Sequence, residues 1–210
     1  MKSASIKFDD LNQVASQILN LSQNQHVVMI AIAGAPGSGK STIGENLHNI
    51  IGEKSCLIPM DGFHLDNTVL RDLGLISVKG APETFDLTNF ARLIDKAKNK
   101  NLARYPLFDR NRDRVIEDGG KVSDSACIFL FEGNYLLFNE AGWSDLAKKW
   151  DASIWLDVSL DVIEERLIAR WIEHGLSEND AIARARSNDL ANAKRIINKA
   201  IPANWIFKSH

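Results

Sequence analysis

Cysteine is scarce in this chain: there are two among 210 residues, Cys56 and Cys127. They lie in separate apolar runs without metal-ligand spacing. A disulfide framework and a zinc site are therefore not indicated, and both read as small buried hydrophobes in a reducing compartment. Long hydrophobic runs are also missing. The longest clean apolar stretch, Val27–Ala35 with one glycine, is far below the roughly 20 residues of a membrane-spanning helix. Met1–Lys7 lacks the apolar core of a signal peptide. Neither sign of charge is in excess, since 25 Lys+Arg stand against 27 Asp+Glu for a net charge of −2. That balance argues against bulk binding to nucleic acid or to an anionic membrane, and leaves room for a local basic pocket. The sequence shows no repeats and no low-complexity segment. A cytoplasmic protein is expected, with no nucleic-acid and no membrane partner, and a homodimer is left open.

What is present is ordinary globular composition, 45% hydrophobic and 25% charged, in a length that suits one domain, 1–210. Phe8, Leu11, Ala15, Ile18 and Leu19 recur at helical spacing, with Asp9 and Asp10 suited to a first turn. Val27–Ala33 is apolar throughout and rich in β-branched residues, as in a strand buried on both faces. A helix over Lys40–Ile51, a strand over Ser55–Met60, a helix over Leu87–Asn99 and strands over Ala126–Phe131 and Ser153–Val158 follow. A long helical stretch starts near Leu160 and is interrupted by Pro202, and Trp205–Phe207 reads as an edge strand. This alternation predicts an α/β fold with a mostly parallel sheet. Two connections, 61–86 and 104–122, are longer than usual and are read as functional loops.

Gly34-Ala35-Pro36-Gly37-Ser38-Gly39-Lys40-Ser41 matches G-x-x-x-x-G-K-[ST] at every fixed position, between a strand and a helix. Glycines there let backbone N–H groups converge on phosphate oxygens, and the helix N-terminus adds a favourable dipole. Lys40 can reach the terminal phosphates, and the Ser41 hydroxyl can hold Mg²⁺. The bland alternative is a glycine-rich turn without a ligand. The strings N-K-x-D and D-x-x-G, which a guanine-specific switch protein carries, do not occur, so a compact kinase is favoured.

Asp61 follows the second strand, where ligands of open α/β sheets bind. A carboxylate there can accept the proton of an acceptor hydroxyl; alternatively it caps a turn. Gly62 would let the acceptor approach the backbone, and His64 could bond an acceptor hydroxyl or be structural. Glu132 ends an apolar strand, which is expensive for an acid unless it is paired or near a metal. Asn134 and Tyr135 are placed to face the same cleft.

In this order the P-loop, Asp61-Gly62-Phe63-His64, Glu132-Gly133-Asn134-Tyr135-Leu136-Leu137 and a late arginine helix resemble the phosphoribulokinase/uridine kinase family, which includes bacterial pantothenate kinase. Lys79-Gly80-Ala81-Pro82-Glu83-Thr84-Phe85-Asp86 is similar to its bacterial nucleoside/nucleotide kinase-like branch, the one that carries the name fructose-transport-system kinase. The resemblance spans about Val27 to Asn192. It implies a three-layer P-loop NTPase fold with a small helical lid over about 166–190. It implies that Gly34 to Thr42 contact ATP, with Lys40, Ser41 and Thr42 at the phosphates and Mg²⁺, that Asp61 is the catalytic base, and that Glu132 assists at the metal. Arg166 and Arg170 match the lid arginines, and Asn188–Asn192 falls where relatives contact nucleotide or acceptor. Tyr105–Arg110 matches the acceptor loop of uridine or pantothenate kinases only loosely. The candidate acceptor set is Asp61, His64, Lys79, Tyr105, Arg110, Asn134 and Tyr135.

Arg104, Arg110, Arg112 and Arg114 form a basic cluster interrupted by Asp109 and Asp113. One or two could bind an anionic acceptor, although a self-paired solvated loop explains Arg112 and Arg114 better. Arg166 and Arg170 lie one helical turn apart, with Glu164, Glu165 and Glu173 as alternative partners. His26, His48, His174 and His210 show no ligand spacing. The expected activity is Mg·ATP-dependent phosphorylation of a hydroxyl on a small metabolite (a sugar, sugar acid, pantothenate-like compound or nucleoside), with Lys40 and Arg170 stabilising charge. A uridine or cytidine kinase, or a nucleotide-dependent binding module without turnover, are the alternatives.

Overall fold

The structure, a computed structural model, describes residues 5–208. Met1–Ala4, part of the segment read for a signal peptide, and His210 lie outside the described residues. Eight strands and seven α-helices are found among those described: β1 Ile6–Phe8, α1 Leu11–Asn24, β2 Val28–Ala33, α2 Lys40–Ile51, β3 Ser55–Pro59, α3 Asn67–Asp72, α4 Leu87–Lys98, β4 Arg104–Asp109, β5 Arg114–Lys121, β6 Ile128–Gly133, β7 Ala152–Asp157, α5 Leu160–Glu173, α6 Glu178–Arg184, α7 Leu190–Lys199 and β8 Trp205–Lys208. Polar side chains start many of the helices: Asp10, Asp66, Asp86, Ser159 and Ser177 accept hydrogen bonds from backbone N–H groups of the first turn.

Six strands form one sheet in the order β1-β8-β7-β2-β6-β3, and every pairing is parallel. β2 and β6 are buried at every position. Their alternate residues serve two cores, as both-face burial of a parallel strand demands. Met29, Ala31, Phe129 and Phe131 pack with Phe90, Leu93 and Ile94 of α4 on one face. Val28, Ile30, Ile32, Ile128 and Leu130 pack with Val14, Ile18 and Leu47 of α1 and α2 on the other. The result is a three-layer α/β fold, helices on both faces of a parallel sheet. Among the described residues, no helix is long and apolar enough to cross a membrane.

The structure corrects the sequence reading in several places. Phe8 does not begin the first helix but belongs to β1, which pairs with β8; three residues are too few to show a period. β1 therefore covers β8, so Trp205–Phe207 is an interior strand rather than an edge. The 104–122 segment is not a loop: β4 and β5 form a separate antiparallel hairpin. Pro106, which has no N–H to give, sits where the register shifts between Tyr105 and Leu107. The 61–86 segment contains α3 and short 3-10 turns. The late helix is broken into α5, α6 and α7, with a π-helical turn at Ala185–Asp189.

Candidate active site

The carboxyl ends of β2, β3 and β6 converge on one side of the sheet, and the loops beyond them surround a cavity of about 690 Å³. β2 leads into the glycine-rich turn. Gly37 and Gly39 have φ of 77° and 89°, a region side chains avoid, and a Cβ on Gly34 would lie 2.7 Å from Ser38 Oγ. Ser38 Oγ is buried without a hydrogen-bond partner. Pro36, Gly37, Gly39, Lys40, Ser41 and Thr42 line the cavity; Gly34, Ala35 and Ser38 lie behind it.

Lys40 is 8% exposed, and its Nζ donates to Ala35 O at 2.9 Å. Burial lowers its ammonium to about 8, against the pull of Glu132 and Asp61. Glu132, at the end of β6, is also 8% exposed; burial raises its carboxyl, and nearby Asp61 adds to the rise. Ser41 Oγ donates to Glu132 Oε1 at 3.2 Å. The Ser41 hydroxyl at the start of α2 and the Glu132 carboxylate at the end of β6 are hard oxygen donors, a pair that suits Mg²⁺. The positive-φ glycines Gly37 and Gly39 on the cavity wall fit a phosphate tail beside it.

Asp61 lies in the 3-10 turn Met60–Phe63 after β3, on the cavity wall. Its Oδ2 accepts from Arg110 Nη2 at 2.5 Å. Gly62 beside it serves the protein rather than a ligand, contrary to expectation: a Cβ there would lie 2.2 Å from Pro106 O, so β4 crosses directly over it. His64 packs between Phe85 and Phe108, with ring centroids at 4.2 and 4.6 Å. Its Nδ1 meets Asp61 O at 2.8 Å. A carbonyl can only accept, so Nδ1 carries the hydrogen; burial lowers the ring's proton affinity against the attraction of Asp61, which leaves Nε2 an acceptor.

Lys79 donates to Asn67 Oδ1 and Asp113 Oδ1, both at 2.7 Å, and lies 5.0 Å from the centre of the Phe108 ring. Asn134 lines the cavity, but Tyr135 does not. Tyr135 is fully buried, and its hydroxyl donates to Gly80 O at 2.6 Å, holding the 61–86 segment. Tyr105 lies outside the cavity, in a separate hollow beside Cys56.

The late helices close the opposite wall. Arg170 lines it, whereas Arg166 does not; Arg166 reaches Gly37 O and Ser38 O at 3.4 and 3.5 Å from behind the turn. The second arginine on the wall is Arg184, which the sequence reading passed over. The guanidinium groups of Arg170 and Arg184 lie 5.3 and 5.2 Å from the Trp171 ring centre. Asp189 Oδ2, in the π turn, accepts from Arg170 Nη2 at 3.1 Å and from Trp171 Nε1 at 2.6 Å. Phe108, Asp113, Trp171 and Arg184 had no motif to announce them. Two left a trace: Phe108 inside the loosely matching Tyr105–Arg110 stretch, and Asp113 as an acid inside an arginine-rich run.

The sequence model of the Phosphoribulokinase / Uridine kinase family matches residues 29–199. A crystal structure from Silicibacter sp. TM1040, described as a "putative fructose transport system kinase", is 42% identical, with TM-score 0.86 over 92% of this chain and 98% of that one. A Schizosaccharomyces pombe protein named "Putative uridine kinase" is 35% identical over 88% of this chain and 83% of its own length. A pantothenate kinase of Ligilactobacillus salivarius is 27% identical over 77% of this chain, which spans 55% of that enzyme.

Proposed function

The chain belongs to the phosphoribulokinase/uridine kinase family of P-loop small-molecule kinases, and from that premise we propose that it transfers the γ-phosphate of ATP, with Mg²⁺, to a hydroxyl of a small metabolite. One observation carries the reading. A single cavity joins the glycine-rich turn and Lys40 to Asp61, so a phosphate donor and a hydroxyl acceptor can meet in it.

In this reading the P-loop backbone and Lys40 hold the phosphates, and Ser41 with Glu132 would hold Mg²⁺. The ion supplies compensation for the phosphate charge. Arg170 and Arg184 act from the helical lid, stabilising charge that develops on the transferred group and excluding water. Asp61 takes the proton of the acceptor hydroxyl. The acceptor oxygen bonds to the γ-phosphorus as the bond from that phosphorus to the bridging oxygen breaks, and ADP leaves with the electron pair. Tyr135 acts indirectly, by fixing the Gly80 carbonyl of the acceptor segment.

The acceptor panel follows from the family: sugars, with fructose from the 42% identical neighbour's name, sugar acids, pantothenate, and uridine or cytidine from the 35% identical relative's name. ADP release and thermal shift measured across it should agree, because a ligand stabilises the fold it occupies. Asp61→Asn is expected to lower turnover of the responding acceptor by about 100- to 10,000-fold while ATP still raises the melting temperature. Full turnover in that variant would remove Asp61 from the base role. ATP binding with no acceptor-stimulated release across the panel would favour a nucleotide-dependent binding module.

A further inference from the structure

We propose that the acceptor carries an anionic group, a carboxylate or a phosphate, and that this group frees Asp61 by drawing Arg110 away from it. The inference rests on the kinase reading above and names the substrate class of the same site. Its basis is an occupied base. Arg110 Nη2 lies 2.5 Å from Asp61 Oδ2, so one of the two carboxylate oxygens that could take a hydroxyl proton is engaged by a cation. The other cation of the acceptor wall is committed elsewhere: Lys79 is shared between Asn67 and Asp113 and covers the Phe108 ring. Among the described residues Arg110 makes one side-chain hydrogen bond, to Asp61, from the tip of the β4–β5 hairpin, and its side chain is 59% exposed. A guanidinium has five N–H donors in a planar fork, so most of this one is unengaged and free to turn.

A neutral polyol offers Arg110 nothing that competes with a carboxylate. Carboxylates and phosphates both present paired oxygens that match the fork. Exchange of Asp61 for such a group would leave the fork satisfied and place the acceptor hydroxyl beside a vacated Asp61 oxygen. The same contact has a second consequence: with no acceptor bound, one oxygen of Asp61 stays tied to Arg110, which leaves the carboxylate less free to orient a water and so restrains idle ATP hydrolysis. Arg110 also acts electrostatically on Lys40 and Glu132, so its competing assignment is to the γ-phosphate itself.

Matched pairs separate these uses: glycerate against glycerol, fructose phosphates against fructose, pantothenate against its alcohol, with uridine as a further neutral acceptor. Wild type, Arg110→Met and Arg112→Gln are assayed for phosphoryl transfer and for ADP release without acceptor. Arg112, on the same hairpin tip, pairs with Asp109 at 3.6 Å outside the cavity, and its variant should behave as wild type. The wild type is expected to prefer the anionic member of the responding pair by about 100-fold in kcat/KM, in line with a charge-assisted bidentate contact. Which pair responds distinguishes a carboxylate from a phosphate. Arg110→Met should raise KM for that member by about 10- to 100-fold, erase the preference and increase acceptor-independent ADP release several-fold. A retained ADP-induced melting shift reports that the variant is folded. Equal turnover of neutral and anionic members overturns the inference and leaves the kinase reading standing. So does a fall in kcat for both members with their ratio unchanged, which would put Arg110 on the γ-phosphate. If no acceptor responds, both readings fall together.

Discussion

Lys40 is a buried cation, held by one carbonyl and by no formal ion pair among the described residues. Its fall from 10.5 to about 8 corresponds to about 3 kcal/mol held against the empty fold. Between about pH 8 and 10.5 the unfolded chain binds this proton and the folded protein does not, so stability rises with pH across that window. The penalty is complete below it. Lys40→Met is therefore expected to raise the melting temperature of the empty protein at pH 7, by about 3–6 °C after the lost Ala35 bond is allowed for. The gain should shrink as pH approaches 10, and ATP should no longer shift the transition. Calorimetry with and without ATP checks both; a lower melting temperature at pH 7 would contradict the burial argument. This residue was legible in the sequence because the P-loop is a local pattern, eight consecutive positions between a strand and a helix. The Arg110–Asp61 pair was not, because 49 residues separate the partners and only the crossing of two elements brings them together.

Among the elements, the β4–β5 hairpin closes the side of the cavity that faces the glycine-rich turn, the side the proposal gives to the acceptor. It brings Phe108, Arg110 and Asp113 over the 61–86 segment. Its place depends on Gly62, whose missing Cβ admits the Pro106 carbonyl. Gly62→Ala must push β4 outward, since backbone rather than a flexible side-chain end blocks the space. Overpacking of this kind costs about 1–3 kcal/mol. Acceptor KM is expected to rise about tenfold or more with ATP binding unchanged, because the glycine-rich turn is not touched; equal losses for both substrates would show that the hairpin does not act on the acceptor alone. The hairpin escaped the sequence reading because Pro106 and the charges of its tip masked a strand period. The late helix was legible with its arginines, but not which of them face the cavity: the breaks around α6 and the π turn bring Arg184 to the wall, while Arg166 of α5 lies off it. Asp189 holds this arrangement through Arg170 and Trp171. Asp189→Ala should lower kcat about tenfold, as the loss of one charge-assisted bond would, and alter Trp171 emission, whereas a purely packing role would leave the emission as it is.

At the scale of the whole molecule, the parallel sheet divides into a chemical half and a supporting half. The segments that form the cavity follow β2, β3, β6 and β7, while β1 and β8 lie at the other edge of the sheet, beyond β7. The near-neutral total charge conceals the same division: Lys40, Lys79, Arg110, Arg170 and Arg184 gather at one cavity together with Asp61, Asp113, Glu132 and Asp189. Stability and chemistry should therefore separate under mutation. Phe8 of β1 packs edge-on against Trp205 of β8, with ring centroids 6.2 Å apart at 89°, and it contributes nothing to the cavity wall. Phe8→Ala removes a half-buried aromatic and should cost about 2 kcal/mol. For a domain of this length that is a fall in melting temperature of about 4–8 °C. Below the new transition, KM for ATP and kcat with the responding acceptor should match wild type, because no residue around the phosphates or Asp61 rests on β1. Denaturant unfolding set beside steady-state kinetics measures both quantities on one preparation. A loss of kcat at temperatures where Phe8→Ala remains folded would mean that the edge of the sheet transmits to the cavity, and that the supporting half is part of the catalytic one.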